Sequence, residues 1–520
     1  MSDAGHFQVI SIPSQFSMSI SDQVIKRVSV ARGAVLVVGM RWTDRLIGLV
    51  STLILARLLL PEDFGIVAMA SIVVGLIDTL LDLGVGSALV QNKHAAREEF
   101  DTAWTLRLMQ SAFVALLIWL AAPFAAEYFR DSRVLDVIRV MALTTLIGGF
   151  ENIGIVAFQK NMEFGRDFQY FFFRRIAGFV VTIALAFWLH SYWAMVIGTV
   201  VGRTTGVAIS YWLHDYRPRF SMVRFRQIWS FSQWMLVGNV GTYWLVQVDK
   251  FLVGRRTDAA IMGSYSLADD IAAMPTTELL SPLSRVLFPV FVDSAHDPEK
   301  LRAAFCKAIG VQTLLALPAG VGLCMVASNV VLLLLGERWQ QAAPLIQTLA
   351  LISVFSALTY SSSYLLLALG RVRLQALLTW LRFGMLAFLV IVVFPEAGAQ
   401  GIANTRLATT ALGFVLFVCL VLHYVESIRL KDFIKHSWRP VVSTGIMALS
   451  LILLPGFESL VLLAKVIWTV MLGAGVYICS IIFLWRISGC CDGAEAYFLD
   501  QIRLKDRAMI WMRCKNRTVG

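Results

Sequence analysis

The run MRWTDRLIGLVSTLILARLLLPEDFGIVAMASIVVGLIDTLLDLGVGSALVQ occupies residues 40–91. It consists of two long apolar stretches joined by the short polar turn Leu60-Pro61-Glu62-Asp63-Phe64. Crossing a bilayer takes about 20 mostly apolar helical residues, so each stretch is long enough and the run reads as a transmembrane hairpin. Its charges make it more than that. Arg41, Asp44 and Arg45 fall inside the first span, and Asp78 and Asp82 inside the second. Ionisable groups at that depth are expensive and usually face a bundle interior or a wet cavity. Spacing gathers them: Arg41, Arg45, Gly48 and Thr52, and likewise Ser71, Gly75, Asp78 and Asp82, recur every three or four residues, one stripe per helix.

Composition agrees with a membrane protein throughout. Of 520 residues 58% are hydrophobic and only 15% charged, and the mean hydropathy is +0.72. An ordinary soluble domain, with about a quarter of its residues charged, is excluded. The net charge of +11 does not point to nucleic acid, because most Lys and Arg lie in short segments between apolar runs, the pattern of membrane topology. Seven cysteines are scattered without metal-ligand spacing, and Cys490-Cys491 reads as a pair of free thiols in a cytoplasmic tail. Residues 1–32 are polar and contain no apolar stretch of signal-peptide type, so no cleavage is expected.

Apolar runs of spanning length number about fourteen, near residues 33–57, 64–90, 103–125, 134–158, 170–188, 192–213, 230–254, 263–292, 302–327, 341–369, 374–395, 399–425, 438–456 and 459–486. The fourth is interrupted by Gly148-Gly149 and Glu151, and the eighth carries Pro275, Pro282 and Pro289, which are expected to bend it. Loops on one side hold eighteen basic residues against six on the other. The positive-inside rule makes the first side, and with it both termini, cytoplasmic. Trp188 with Trp193, Trp212 with Trp229, and Trp339 flank spans as headgroup-layer anchors. Residues 160–175 and 217–229 mix Arg with aromatics and are expected to lie as amphipathic segments in the inner headgroup layer.

An internal repeat is visible. Residues 56–70, ARLLLPEDFGIVAMA, align without gaps on residues 254–268, GRRTDAAIMGSYSLA, pairing Arg57 with Arg255, Gly65 with Gly263 and Ala70 with Ala268 at a shift of 198 residues. The match superposes the turn between spans one and two on that between spans seven and eight. Six helices separate the copies, an even number, so the repeats are parallel and related by an axis along the membrane normal. The expected architecture is an all-α polytopic membrane protein with two six-helix lobes and a cleft between them. Its parts are a polar segment 1–32, an N-lobe 33–213, a cytoplasmic linker 214–229, a C-lobe 230–428, two further helices within 436–486 and a basic cytoplasmic tail 487–520.

No catalytic constellation is present in the sequence: the seven histidines show no metal-ligand spacing, and no GxxxxGK[ST] loop occurs. What remains is buried charge in the repeat-related helices. Asp249 and Lys250 close the seventh span, and Asp270, Met274, Glu278, Ser281 and Arg285 share one face of the eighth. The cleft is therefore expected to carry Arg41, Arg45, Lys250 and Arg285 beside Asp44, Asp78, Asp82, Asp249, Asp270 and Glu278. Arginine offers bidentate, permanently charged recognition of phosphate oxygens. The carboxylates balance that charge or bind a coupling ion, H⁺ or Na⁺, and no other cofactor is expected. For any one of these residues a structural ion pair is an equal reading; matched across both repeats, the set favours a polar translocation path. Arg107, Arg203, Arg382, Arg406 and Lys465 also lie in spans and read as structural, Arg107 and Arg203 being the foremost exceptions.

Several motifs carry a resemblance. ILARLLLPEDFGIVAMA (54–70), DLGVGSALVQ (82–91), VDKFLVGR (248–255), MGSYSLA (262–268) and LLLGERWQQAAPLIQTLAL (333–351) are together similar to the polysaccharide transporter family. That family is part of the multidrug/oligosaccharidyl-lipid/polysaccharide exporter superfamily, and the similarity is to its exopolysaccharide-exporter branch. The resemblance covers roughly residues 30–430. It implies an inner-membrane flippase, not an enzyme, that moves undecaprenyl-diphosphate-linked oligosaccharide repeat units to the periplasmic leaflet by alternating access. It implies membrane lipids and the polysaccharide polymerase and export machinery as partners, with no nucleic acid. For the family's cationic cavity it points to Arg41, Arg45 and Arg285. Two rivals stay open: a drug or small-cation antiporter of the same superfamily, which calls for an acidic and aromatic cavity, and a polytopic glycosyltransferase or polymerase, which calls for acidic residues on a large external loop.

Overall fold

The computed structural model describes residues 20–80, 89, 97–161, 163–225, 243–244, 246–454 and 461–489, with the side chains of residues 20–38, 159, 281, 282, 284 and 285 left outside that description. The N-lobe comprises α1 (Ile20–Leu58), α2 (Pro61–Leu80), α3 (Arg97–Phe129), α4 (Arg133–Gly149), α5 (Phe164–Leu189) and α6 (Trp193–Leu213). The C-lobe comprises α7 (residues 246–256), α8 (Ala259–Ser294), α9 (Pro298–Leu334), α10 (Ala342–Ala368), α11 (Val372–Phe388, continued by one π-helical turn) and α12 (Ala399–Tyr424), and is followed by α13 (Leu430–Leu453) and α14 (Leu462–Ile487). Nine of the described helices are long and apolar enough to cross a membrane on composition alone. The chain is a multi-pass membrane protein of all-α class. Two helices outside those nine, α1 and α8, carry Arg41, Asp44 and Arg45 and Asp270 and Glu278, respectively, among the ionisable residues singled out from the sequence.

Turn chemistry fixes the helix starts. Pro61 opens α2, where its missing N–H would be unbonded anyway, and Asp63 accepts from the backbone N–H of Leu60 at 2.9 Å and from that of Tyr192 at 2.9 Å. Asp63 thereby ties the α1–α2 turn to the α5–α6 turn. At the repeat-related start of α8, Asp258 caps the helix through Ile261 N at 2.8 Å. These turns gather at one end of the bundle, called here the short-turn end.

The two lobes meet there, backbone against backbone. A Cβ built on Gly65 would lie 1.8 Å from the carbonyl oxygen of Ala259, and one on Gly263 would lie 1.9 Å from that of Pro61. Both pairs obey the shift of 198 residues, so the contact is reciprocal, as a two-fold axis running between α2 and α8 requires. The flanking arginines repeat the exchange. Arg57, at the end of α1, donates to Leu334 O at 3.1 Å and to neighbouring carbonyls of the last turn of α9. Arg255, at the end of α7, donates to Tyr128 O at 2.6 Å and Glu127 O at 3.3 Å in the last turn of α3. Each guanidinium satisfies carbonyls that have no partner within their own helix.

Three expectations are corrected. The fourth span ends at Gly149 and not near 158, because Asn152 stops the helix: its side chain accepts from Gly154 N and donates to Tyr216 O at 2.7 Å. Residues 164–175 are no separate surface segment but the first turns of α5, and the described part of 217–229 is extended chain strapped across the start of α3. Trp339 is not a headgroup anchor. It is fully buried between the lobes, its Nε1 donating to Ala56 O at 2.8 Å and its ring edge-on to Phe64. Trp188 and Trp212, by contrast, end their helices 80% and 76% exposed. α8 runs unbroken through its three prolines.

Candidate functional site: an arginine-lined cavity between the lobes

A cavity of about 2020 Å³ is bounded by helices α1 to α6 of the N-lobe and α8 and α9 of the C-lobe. Six arginines line it: Arg41 and Arg45 from α1, Arg107 from α3, Arg174 and Arg175 from α5, and Arg203 from α6. Asp44, Asp78 and Asp270 line it too. Among the described residues all six of these guanidinium groups come from the N-lobe, which gives the cavity a cationic wall.

The arginines fall into two groups. In the first, Arg45 lies 2.8 Å and Arg41 4.0 Å from Glu278 of α8, and Arg175 lies 3.1 Å from Asp44. Their side chains are 37–49% exposed to the cavity. Pairs in such surroundings contribute about 0–1 kcal/mol and exchange partners readily. In the second group Arg107 is paired with the buried Glu151, which also accepts from Tyr170, while Arg174 reaches the Tyr170 hydroxyl at 3.5 Å. Arg203 sits against Gly148, where any Cβ would strike its guanidinium at 2.2 Å. One carboxylate thus stands among three arginines, leaving local positive charge beside the cavity.

The tight packing of α5 on α6 explains how Arg174 and Arg203 reach this place. Gly198, Gly202 and Gly206 repeat every four residues along α6. Cβ atoms at 198 and 206 would meet Thr182 Oγ1 at 1.7 Å and the Arg174 stem at 2.8 Å. Such small-residue stripes let membrane helices approach closely, and here the stripe also cuts the notch that holds Arg174. That stripe is the sequence signal for a helix pair at this place, and for reading Arg174 and Arg175 as span residues in place of headgroup anchors.

The expected site residues are only partly brought together. Arg41, Arg45, Asp44, Asp78 and Asp270 line the cavity, and Glu278 contacts it through Arg45. Asp249 and Lys250 do not line it. Asp249 is wholly buried, accepting from Arg406 at 2.7 Å and from the Tyr265 hydroxyl at 2.6 Å, and Lys250 pairs at 3.0 Å with Asp269, which Arg406 also reaches at 3.0 Å. This C-lobe network is closed upon itself. A small chamber of about 280 Å³ touches its edge at Lys250 and meets the main cavity at Ser71 and Asp270. Asp82 and the Arg285 side chain lie outside the described residues. Arg107 and Arg203, named as exceptions to a structural reading, line the cavity; Arg406 is structural.

Beneath the second arginine group the strap of residues 214–222 closes the N-lobe. Arg219 N donates to Asp101 at 2.9 Å, Ser221 N donates to Thr105 Oγ1 at 3.0 Å, and Tyr216 N donates to His214 Nδ1 at 3.0 Å. Burial pushes the His214 imidazole below its ordinary value of 6.5. Between the lowered value and 6.5 the unfolded chain binds a proton that the folded strap does not. The strap is therefore fully held above that window and loosens as pH falls through it. Hydrogen exchange at residues 215–222, corrected for intrinsic rates, is expected to rise on acidification from about pH 7 to about pH 5.5, and this rise is expected to vanish in His214→Gln.

A family model described as "Polysaccharide biosynthesis protein" matches residues 54–344. The chain is 24% identical over 398 residues to the lipopolysaccharide biosynthesis protein WzxC of Escherichia coli (strain K12), covering 76% of this chain and 81% of that one. It is 28% identical over 300 residues to the succinoglycan biosynthesis transport protein ExoT of Rhizobium meliloti (strain 1021), covering 57% and 61%. Among solved structures it is similar to the lipid II flippase MurJ in an inward closed conformation, with a TM-score of 0.71, 12% identity, and coverage of 87% of this chain and 99% of that one. At that identity the likeness shows the fold alone.

Proposed function

This chain belongs to the polysaccharide biosynthesis protein family, whose model spans more than half of it, and from that premise we propose that it is a flippase for lipid-linked oligosaccharides. It moves repeat units joined through a diphosphate to undecaprenyl from one leaflet of the inner membrane to the other by alternating access. The observation that carries this reading is the set of six arginines in one inter-lobe cavity. Guanidinium groups on a single wall suit a diphosphate, whose oxygens they take two at a time. At about 2020 Å³ the space exceeds the roughly 300–1,000 Å³ of a drug-sized pocket, leaving room for several sugars. A cavity for small organic cations calls for the opposite charge. The names of WzxC and ExoT, a lipopolysaccharide biosynthesis protein and a succinoglycan transport protein, agree with such a substrate. The excess of basic residues in the loops of the opposite side supports an orientation with the short-turn end in the periplasm and both termini in the cytoplasm. In that orientation the lobes are sealed on the periplasmic side.

The test is the lipid-linked oligosaccharide pool of a deletion strain, extracted and sized beside secreted polysaccharide. The expected result is loss of polysaccharide with accumulation of a complete repeat unit on its carrier. An incomplete glycan would instead assign the protein a glycosyl-transfer step. An unchanged pool with new drug sensitivity would assign it to small-molecule efflux.

A further inference from the structure

Glu278 occupies a peculiar place. It belongs to α8 of the C-lobe, yet its carboxylate lies against Arg45 and Arg41 of the N-lobe. The contact is one of charge more than of directed bonding, since Oε1 is buried and accepts no hydrogen bond even with the Arg45 Nε 2.8 Å away. Among the described residues the backbones of the two helices that carry these groups make little contact with one another. At the short-turn end, by contrast, α2 and α8 meet backbone to backbone at Gly65 and Gly263. The lobes are thus joined rigidly at one end, and across the cavity through the tips of long side chains.

We propose that Glu278 is a stand-in anion: it occupies Arg41 and Arg45 when the cavity is empty, and the arriving diphosphate displaces it and thereby frees the C-lobe from the N-lobe. The proposal rests on the reading of the cavity as a lipid-diphosphate site and adds how that site is linked to movement. A ligand shifts a conformational equilibrium only through contacts that differ between the two states. Here the differing contact is identified: one carboxylate, carried by the other lobe, competing for the same two guanidinium groups. Two consequences follow from the charges. Removing the carboxylate tightens anion binding, because nothing has to be displaced. It also slows turnover, because the ligand is held harder and the empty protein has lost the bridge that resets it.

The experiment uses the full-length protein in nanodiscs, with its native cysteines replaced, spin labels at the exposed positions Leu46 and Val286, and undecaprenyl diphosphate as the probe. In the wild type, adding the lipid is expected to shift the label-to-label distance. Glu278→Gln is expected to show the shifted distance without lipid, to move little when lipid is added, and to bind it about fivefold more tightly, while polysaccharide export falls. If that variant does not fold, Glu278→Asp, which keeps the charge but withdraws it by one methylene, is expected to give a partial shift. Weaker binding by Glu278→Gln at the wild-type distance would overturn the proposal and leave Glu278 as a support for the arginines. Lipid binding to the wild type with no change in distance would overturn the bridge while sparing the site. A wild type that does not bind the lipid would overturn the site reading together with the proposal.

Discussion

Gly65→Ala is expected to abolish polysaccharide export while the protein still accumulates in the membrane, and Gly263→Ala to do the same. In an isolated helix the change is favourable by up to about 1 kcal/mol, so any loss must arise from what the new methyl group meets. It meets backbone, at 1.8 Å in one case and 1.9 Å in the other. A carbonyl oxygen cannot turn aside as the tip of a side chain can, so α2 and α8 must separate. Overpacking of this kind is worth about 1–3 kcal/mol or more, which shifts a two-state equilibrium by about tenfold to a hundredfold. The Arg57 and Arg255 bridges depend on the same approach and should weaken with it. Accessibility of a cysteine at Ser71, the residue shared by the cavity and the small chamber, reports the outcome. A membrane-impermeant maleimide added from the side of the short turns is expected to label it in the Gly65→Ala protein and not in the parent. Gly384→Ala is the control, because a Cβ there meets nothing within 4 Å. Normal export by both Gly65→Ala and Gly263→Ala would mean that the helices do not cross as closely as described.

That crossing is partly legible in the sequence. The shift of 198 residues pairs Arg57 with Arg255 and Gly65 with Gly263, and the spans follow from hydrophobic length because a bilayer imposes that length on every helix. What each paired residue does is not legible. The arginines read as loop charges, whereas they reach across the molecule to carbonyls about 130 and 280 residues away in sequence. The cavity is half legible. Arg41 and Arg45 stand out because a guanidinium inside an apolar run of spanning length has to face a wet cavity or a counter-charge, or else snorkel to the headgroups. Arg174 and Arg175 do not, since they follow three phenylalanines at what looks like a membrane boundary, and only the glycine stripe of the next helix hints that the span begins earlier. Asp249 and Lys250 mislead for the opposite reason. Buried charge has two solutions, a wet cavity or a closed ion network, and a sequence does not show that Arg406 supplies the second. Asp269, the residue that completes that network, is not distinguished in the sequence from its neighbour Asp270, because helical phase alone does not say which of two adjacent carboxylates turns inward.

The two arginine groups should separate cleanly under mutation, although their residues are of one type and line one cavity. Arg45→Ala and Arg175→Ala remove members of exposed pairs, so both proteins are expected to accumulate normally and to melt within about 1 kcal/mol of the parent. Export should nevertheless fall sharply, because those side chains face the space where the ligand lies. Glu151→Ala has the reverse signature. Glu151 is 4% exposed and stands among Arg107, Arg174 and Arg203. Removing it leaves half-buried positive charge less compensated, at a cost below the roughly 3–5 kcal/mol of a fully buried broken pair but above that of an exposed one, and the Tyr170 hydroxyl loses its acceptor at the same time. The expected result is a protein that fails to accumulate or melts far below the parent. Glu151→Gln keeps an acceptor for Tyr170 but not the charge and should fall between. Melting by intrinsic fluorescence in detergent, run beside export measured at matched protein levels, distinguishes the groups. If Arg45→Ala unfolds the protein, its exposed pairing is misjudged. If Glu151→Ala folds normally and loses export alone, the carboxylate belongs to the transport cycle and not to the scaffold that holds the cationic wall in place.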